Sequence, residues 1–192
     1  PVEPNFLGVK EVTLKTEKLI PYIDWTPFFR TWELHGKYPA ILEDDVVGQE
    51  ATKLMKDAHG MLARIVGENW LQCKGVMGLF PANSVGDDIE IYHCAEEKKL
   101  IHTQCTMRQQ TKKATGVPNI ALSDFVAPKE SGVTDYIGGF VVSSGFGIES
   151  RILEFEKDHD DYQSILLKAL ADRLAEAFAE YLHEQVRKNY WG

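Results

Sequence analysis

Asp172 and Glu176 are two carboxylates four residues apart in a stretch with helical spacing, so they share one helix face. Like charges at that separation repel mildly, so the pair is a solvated surface feature unless a cationic group sits between its members. A positively charged ligand or an imidazole N–H would serve. Arg173 is adjacent in sequence, and the helical turn is expected to point it elsewhere. Asp24, beside Trp25, is a second candidate. A carboxylate next to an aromatic ring suits an amine or a sulfonium, since both groups favour positive charge. Asp24 could equally cap a helix beginning near Pro27. The residues alone weigh those two roles evenly.

Other familiar chemistries find no support. The six histidines form no HExxH or other zinc pattern. Asp57-Ala58-His59-Gly60-Met61-Leu62 approaches a corrinoid-binding DxHxxG motif, but the required glycine is missing and the segment reads as mid-helix. The chain therefore is not expected to carry cobalamin itself. Cys73, Cys94 and Cys105 are an odd set without a CxxC pair, which fits reduced thiols better than a disulfide framework or a zinc site. GxSxG, P-loop and GxGxxG motifs are absent, and Gly145-Phe146-Gly147 is too short to cradle a phosphate. No ligand constellation suggests a metal-dependent hydrolase, so no metal is expected.

The elements that must position these residues belong to a chain of 192 residues, long enough for one domain with a sizeable core. A formal net charge of −8 argues against nucleic acid and anionic membranes, both of which reward clustered Lys and Arg. It suits a cytoplasmic protein or one that docks on a basic partner. No apolar run approaches the length of a membrane span, and no signal peptide opens the chain. The start at Pro1 suggests a piece of a longer polypeptide.

Residues 1–20 are polar and loosely patterned, and read as an arm, with a short helix allowed over residues 14–23. Tyr22, Trp25, Phe28, Phe29 and Trp32 form an aromatic segment, either core or a ligand shelf, with core the safer reading. Ala51, Leu54, Met55, Ala58, Leu62 and Ile65 trace one stripe of a helix over residues 49–66, with Gly67 as its stop. Short apolar runs at 75–80, 89–93 and 100–106, separated by acidic or mixed turns, have the grammar of antiparallel strands. Residues 119–125 and 136–144 suggest two more strands. Residues 160–188 form a long amphipathic helix, its stripe carried by Ile165, Ala169, Leu170, Leu174, Ala177, Phe178, Tyr181 and Leu182. Helices segregated from an antiparallel sheet make an α+β fold.

Several motifs, in order, resemble the activation domain of cobalamin-dependent methionine synthase. They are Tyr22-Ile23-Asp24-Trp25-Thr26-Pro27-Phe28-Phe29, then Gly36-Lys37-Tyr38-Pro39 and Ile41-Leu42-Glu43-Asp44. Gly78-Leu79-Phe80-Pro81-Ala82-Asn83 and Val85-Gly86-Asp87-Asp88-Ile89-Glu90-Ile91-Tyr92 are very specific to that family. Arg108-Gln109-Gln110, Asp124-Phe125-Val126-Ala127-Pro128, Asp135-Tyr136-Ile137-Gly138 and the helix from Lys168 to Glu180 complete the series. The resemblance runs from about Leu19 to Gly192, leaving residues 1–18 as an N-terminal arm.

The resemblance implies a single C-shaped domain with a bent antiparallel sheet, flanking helices and a long C-terminal helix, unlike the doubly wound methyltransferase fold. It implies a reactivation module: S-adenosylmethionine is presented to a cobalamin carried by a neighbouring domain, inactive Co(II) is reduced by flavodoxin or a flavoprotein reductase, and the methyl passes to cobalt. That chemistry serves methionine biosynthesis. Matched residue by residue, Asp24 and Glu176 contact S-adenosylmethionine. Asp172 receives the histidine released from cobalt in the closed form, and Glu149 lies near a second such acidic position. No residue of the chain is expected to act as a catalytic acid or base. The family continues past Tyr190-Trp191-Gly192 into an RPxxGYP-type segment that also contacts the ligand, and that motif is not in this sequence. The expectation is therefore a domain lacking its C-terminal segment and inactive alone. The alternative is an interaction module that caps a cobalamin domain or docks a flavodoxin-like reductant without binding S-adenosylmethionine.

Overall fold

The computed structural model describes every residue from Pro1 to Gly192. Four helices, α1 (Trp25–Thr31), α2 (Gly48–Gly67), α3 (Ile148–Lys157) and α4 (Asp161–Gln185), accompany five strands. The strands are β1 (Gly8–Leu14), β2 (Gln72–Val85), β3 (Asp88–Tyr92), β4 (Leu100–Cys105) and β5 (Asp135–Phe146). They form one open sheet in the order β1-β2-β3-β4, with β5 also paired to β2, and the class is α+β. The chain divides into two compact units: residues 1–10, 76–141 and 185–192, and residues 11–75 and 142–184.

The first unit is built on the β2–β3–β4 meander. A two-residue turn at Gly86, whose φ of +61° suits glycine, brings Val85 opposite Asp88 and Ala82 opposite Ile91. β3 then pairs with β4, from Asp88 opposite Cys105 to Tyr92 opposite Leu100. Met77, Leu79, Ala82, Ile89 and Tyr92 are its buried side chains. Asn83 is fully buried and hydrogen-bonded all round: its amide donates to the carbonyls of Ala127 and Val133 and its oxygen accepts from Lys98. A buried amide satisfied in this way fixes the loops it joins.

Residues 119–125 do not form the expected strand. They close into a single tight turn over Leu122–Phe125, with the Asp124 carboxylate accepting the Ala121 N–H at 2.9 Å. Local side-chain capping of this kind competes with strand pairing. Arg108 then clamps the turn. It grips both Asp124 oxygens at 2.7 and 2.8 Å, reaches Asp87 at 2.6 Å, and donates to the Asn119 carbonyl at 2.7 Å. The guanidinium, helped by the Ala121 N–H, holds the Asp124 carboxyl down at about 2 against an ordinary 3.8. A depressed carboxyl stabilises the fold above its unfolded value and loses that contribution as pH falls through the folded one. Acid unfolding should therefore steepen between 3.8 and about 2. Arg108→Met should flatten that portion of a circular-dichroism acid titration; an unchanged curve would remove the pair from acid stability.

Residues 1–14 are not a loose arm. β1 joins the sheet, the Asn5 N–H donates to the Tyr190 carbonyl, and the Trp191 indole donates to the Val2 carbonyl. Phe6 meets Tyr190 edge-on, with Lys10 over the same tyrosine ring. These partners lie at the opposite end of the sequence, which is why local patterning missed them.

The second unit is helical. On α2 the whole expected stripe is buried, with Met61 added to it. On α4 Ala169, Leu170, Leu174, Ala177, Phe178 and Leu182 are buried, while Ile165 is 48% exposed and so lies off the core face. Asp160 caps α4, accepting the Gln163 N–H at 3.0 Å. The short helix allowed over residues 14–23 breaks into two tight turns, Thr16–Lys18 and Ile20–Tyr22, the second carrying Pro21. α3 was not anticipated, although Ile148, Ile152 and Phe155 recur at helical spacing along it; that apolar face is only half-buried. It begins at Gly147, whose φ is +95° and whose added Cβ would lie 2.8 Å from the Trp70 carbonyl oxygen. Gly147→Ala should therefore lower stability by about 1–3 kcal/mol, read as a drop in thermal midpoint. An unchanged midpoint would mean that the turn relaxes freely.

Candidate functional site

The four carboxylates singled out by sequence, Asp24, Glu149, Asp172 and Glu176, all lie in the second unit and are all exposed. Asp24 stands immediately before α1, where its Oδ1 accepts the Thr26 N–H at 2.9 Å. The capping role is therefore filled. A carboxylate has about four acceptor positions, so the cap leaves capacity for a ligand. Trp25 is not a ligand shelf: it is 8% exposed and packs edge-on against Phe28 and His59. Phe28 and Phe29 are fully buried, so these three aromatics are core, while Tyr22 and Trp32 are half-buried.

Asp172 and Glu176 project from one exposed face of α4, as the four-residue spacing requires. Arg173 departs from expectation. Its guanidinium folds back to the Asp172 carboxylate at 2.5 Å, although adjacent helix positions diverge by about 100°. A long flexible side chain can bridge that divergence where a short one cannot. The pairing relieves the repulsion between Asp172 and Glu176, because Asp172 now has its own cation. Asp172 remains 70% exposed although the Arg173 side chain is only 14% exposed, so the carboxylate stays open to solvent on its other side.

Contacts that sequence reasoning missed join the Tyr22–Trp32 segment to the same helix. The Tyr22 hydroxyl donates to Glu184, and the Tyr22 ring meets Tyr181 edge-on at 5.6 Å, both on the C-terminal part of α4. The Glu184 hydrogen bond pushes the Tyr22 phenol up from its ordinary value. At the other end, Trp32 packs on Tyr162, in the first turn of α4, at 5.1 Å. The Tyr22–Trp32 segment thus runs antiparallel to α4. Residues 160 positions apart leave no local signal of such a pairing. Glu149 lies in the first turn of α3 and touches neither Asp24 nor the α4 pair in the contacts that Asp24 and Asp172 make.

No group of three His, Cys, Asp or Glu side chains is placed to hold a metal ion. A largely apolar cavity of about 550 Å³ belongs to the first unit, lined by Val76, Phe80, Ile91, Ile137 and Val141 among others. It contains none of the four carboxylates.

Residues 15–192 match the family described as "Vitamin B12 dependent methionine synthase, activation domain". The chain belongs to this family. Among solved structures it is similar to one described as "Crystal Structure of the MetH Reactivation Domain bound to AdoHcy", at 58% identity and a TM-score of 0.94. That alignment covers all of this chain and 58% of the other. Membership explains why the motif residues recur in order. Many of them are architectural in this activation domain: Asn83, Asp87, Arg108 and Asp124 tie loops together, and Phe28 and Phe29 fill the core. The exposed carboxylates are not needed for packing, which leaves them available for recognition. No helix is long and apolar enough to cross a membrane.

Proposed function

We propose that this chain is the S-adenosylmethionine-binding reactivation module of a cobalamin-dependent methionine synthase. It supports reductive methylation of inactive cob(II)alamin in methionine biosynthesis, with cobalamin carried by a neighbouring domain and the electron supplied by flavodoxin or a flavoprotein reductase in the cytoplasm. The observation that carries the reading is the family match over residues 15–192, with a fold shared at 58% identity with a reactivation domain bound to AdoHcy and with Asp24 and Glu176 both left exposed. S-adenosylmethionine presents an α-ammonium and a sulfonium, and two exposed carboxylates fit both charges.

Asp24 holds the amine while it caps α1, and Glu176 contributes the second negative charge. Asp172 and Glu149 accept the imidazole N–H released from cobalt; Asp172 exchanges Arg173 for that partner, an exchange its exposure permits. When bound, the sulfonium supplies a methyl group and an excellent leaving group to reduced cobalt. The residues of this chain position and bind; none has a proton to move. Positive charge on sulfur disappears in the transition state, so carboxylates near it serve affinity rather than rate.

Isothermal calorimetry of the chain with S-adenosylmethionine tests the reading. Saturable one-to-one binding, competed by AdoHcy, is the expected result. Absence of binding in the full-length enzyme as well as in this chain would overturn it. Binding in the full-length enzyme alone would mean that ligand contacts outside these residues are required.

A further inference from the structure

A pocket of about 340 Å³ in the first unit lies between residues 84–86 and residues 123–130, away from all four carboxylates discussed above. Ser123 lines it, is 2% exposed, and its Oγ has no hydrogen-bond partner. A buried hydroxyl left unpaired is costly, and such groups mark places where a partner is missing. Ser84, 7% exposed, also lines the pocket. It donates its hydroxyl hydrogen to the Val126 carbonyl at 2.9 Å, which leaves its oxygen lone pairs as acceptors.

The charge around the pocket is negative. Asp124 and Glu130 both line it. Arg108 is divided between Asp124 and Asp87, and Lys129 turns away from Glu130 to pair with Glu90 at 2.6 Å. Asp87, Asp124 and Glu130 thus share one guanidinium. The surplus excludes an anion. No three His, Cys, Asp or Glu groups are grouped to hold a metal ion. Of the two lining carboxylates, Asp124 is already engaged on both oxygens by Arg108, which leaves Glu130 as the carboxylate open to a cationic ligand.

We propose that this pocket binds a primary alkylammonium group, whose three N–H donors are received by Ser123 Oγ, Ser84 Oγ and the Glu130 carboxylate. The match is one of number and type: three donors, three acceptors, and one positive charge set into a negative pocket. The alkyl stem lies along Val126 and Pro128, the apolar part of the lining. The site is independent of the S-adenosylmethionine reading, since it uses no residue of that face.

Proton–nitrogen correlation spectra of the chain, titrated with n-butylammonium chloride, test the proposal. n-Butanol and potassium chloride are the controls, and an N-acetylated lysine amide presents the same group as a side chain. The expected result is saturable movement of the Gly86, Ser123, Asp124 and Glu130 amides with butylammonium and not with either control. Glu130→Gln should weaken binding about tenfold and Ser123→Ala about threefold, with the fold intact. Tighter binding of the lysine derivative would assign the group to a side chain, and tighter binding of butylammonium to a free amine; both support the site. Unsaturable shifts, or shifts unchanged in both variants, would overturn it. Should Ser123→Ala fail to fold, the exposed Glu130→Gln still decides the matter.

Discussion

Phe178→Ala is expected to destabilise the protein by about 3–5 kcal/mol, the largest loss of any single change considered for this chain. Phe178 is fully buried at the centre of the α4 stripe, between Leu174 and Leu182, which are also fully buried. Truncation removes an aromatic side chain's burial and leaves a cavity that a close-packed helix cannot collapse to fill. The contrast is Ile165→Ala. Periodicity places Ile165 on the same stripe, yet it is 48% exposed, so its truncation should cost under about 1 kcal/mol. Urea unfolding midpoints of the two variants decide it. Equal losses would mean that α4 packs with a different rotation about its axis, which would also move Asp172 and Glu176 off the exposed face. The stability experiment therefore tests the orientation of the candidate site.

That contrast shows what the sequence could reveal. Helical period and strand alternation are local signals, and they located α2, α4 and four of the five strands, together with most of the buried stripes of the two helices. β1 was hidden because its neighbours are Asn5–Tyr190 and β2 contacts, set by residues far along the chain. α3 was overlooked although Ile148, Ile152 and Phe155 keep helical spacing, because the helix is only ten residues long and follows the glycine-rich end of β5. The strand expected at residues 119–125 became a turn because Asp124 caps the local backbone while Arg108 holds it from a distance. For the site, carboxylate identity and spacing were legible. The contacts around them were not, since Tyr22 docks on Tyr181 and Glu184 from far along the chain and Arg173 folds back to Asp172. Motif order carried more than composition: several of the most family-specific residues, Asn83, Asp87, Arg108 and Asp124, turn out to be loop staples.

Asp24→Asn should separate the two jobs of that residue. Asparagine caps a helix about as well as aspartate, so the α1 N-terminus and the thermal midpoint should be unchanged. The charge is lost, and a hydrogen bond to a charged group contributes about 1.5–3 kcal/mol, so affinity for S-adenosylmethionine should fall by roughly tenfold or more. Asp24→Ala should show the same loss of affinity plus about 1 kcal/mol of lost stability, from the Thr26 N–H left uncapped. The choice of ligand then locates the contact. S-adenosylhomocysteine keeps the ammonium and lacks the sulfonium. If Asp24 receives the amine, Asp24→Asn should weaken both ligands by the same factor. If Glu176 lies nearer the sulfur, Glu176→Gln should weaken S-adenosylmethionine more than its demethylated product. Calorimetry of both ligands against both variants measures four ratios. Unchanged affinity in Asp24→Asn would reduce Asp24 to a helix cap. A selective loss of S-adenosylmethionine in that variant would move the aspartate from the amine to the sulfonium. Methyl transfer from the saturated complex should keep its rate if Asp24 holds the amine, whose charge persists in the transition state, and should not slow if Asp24 faces the sulfonium, whose charge diminishes there.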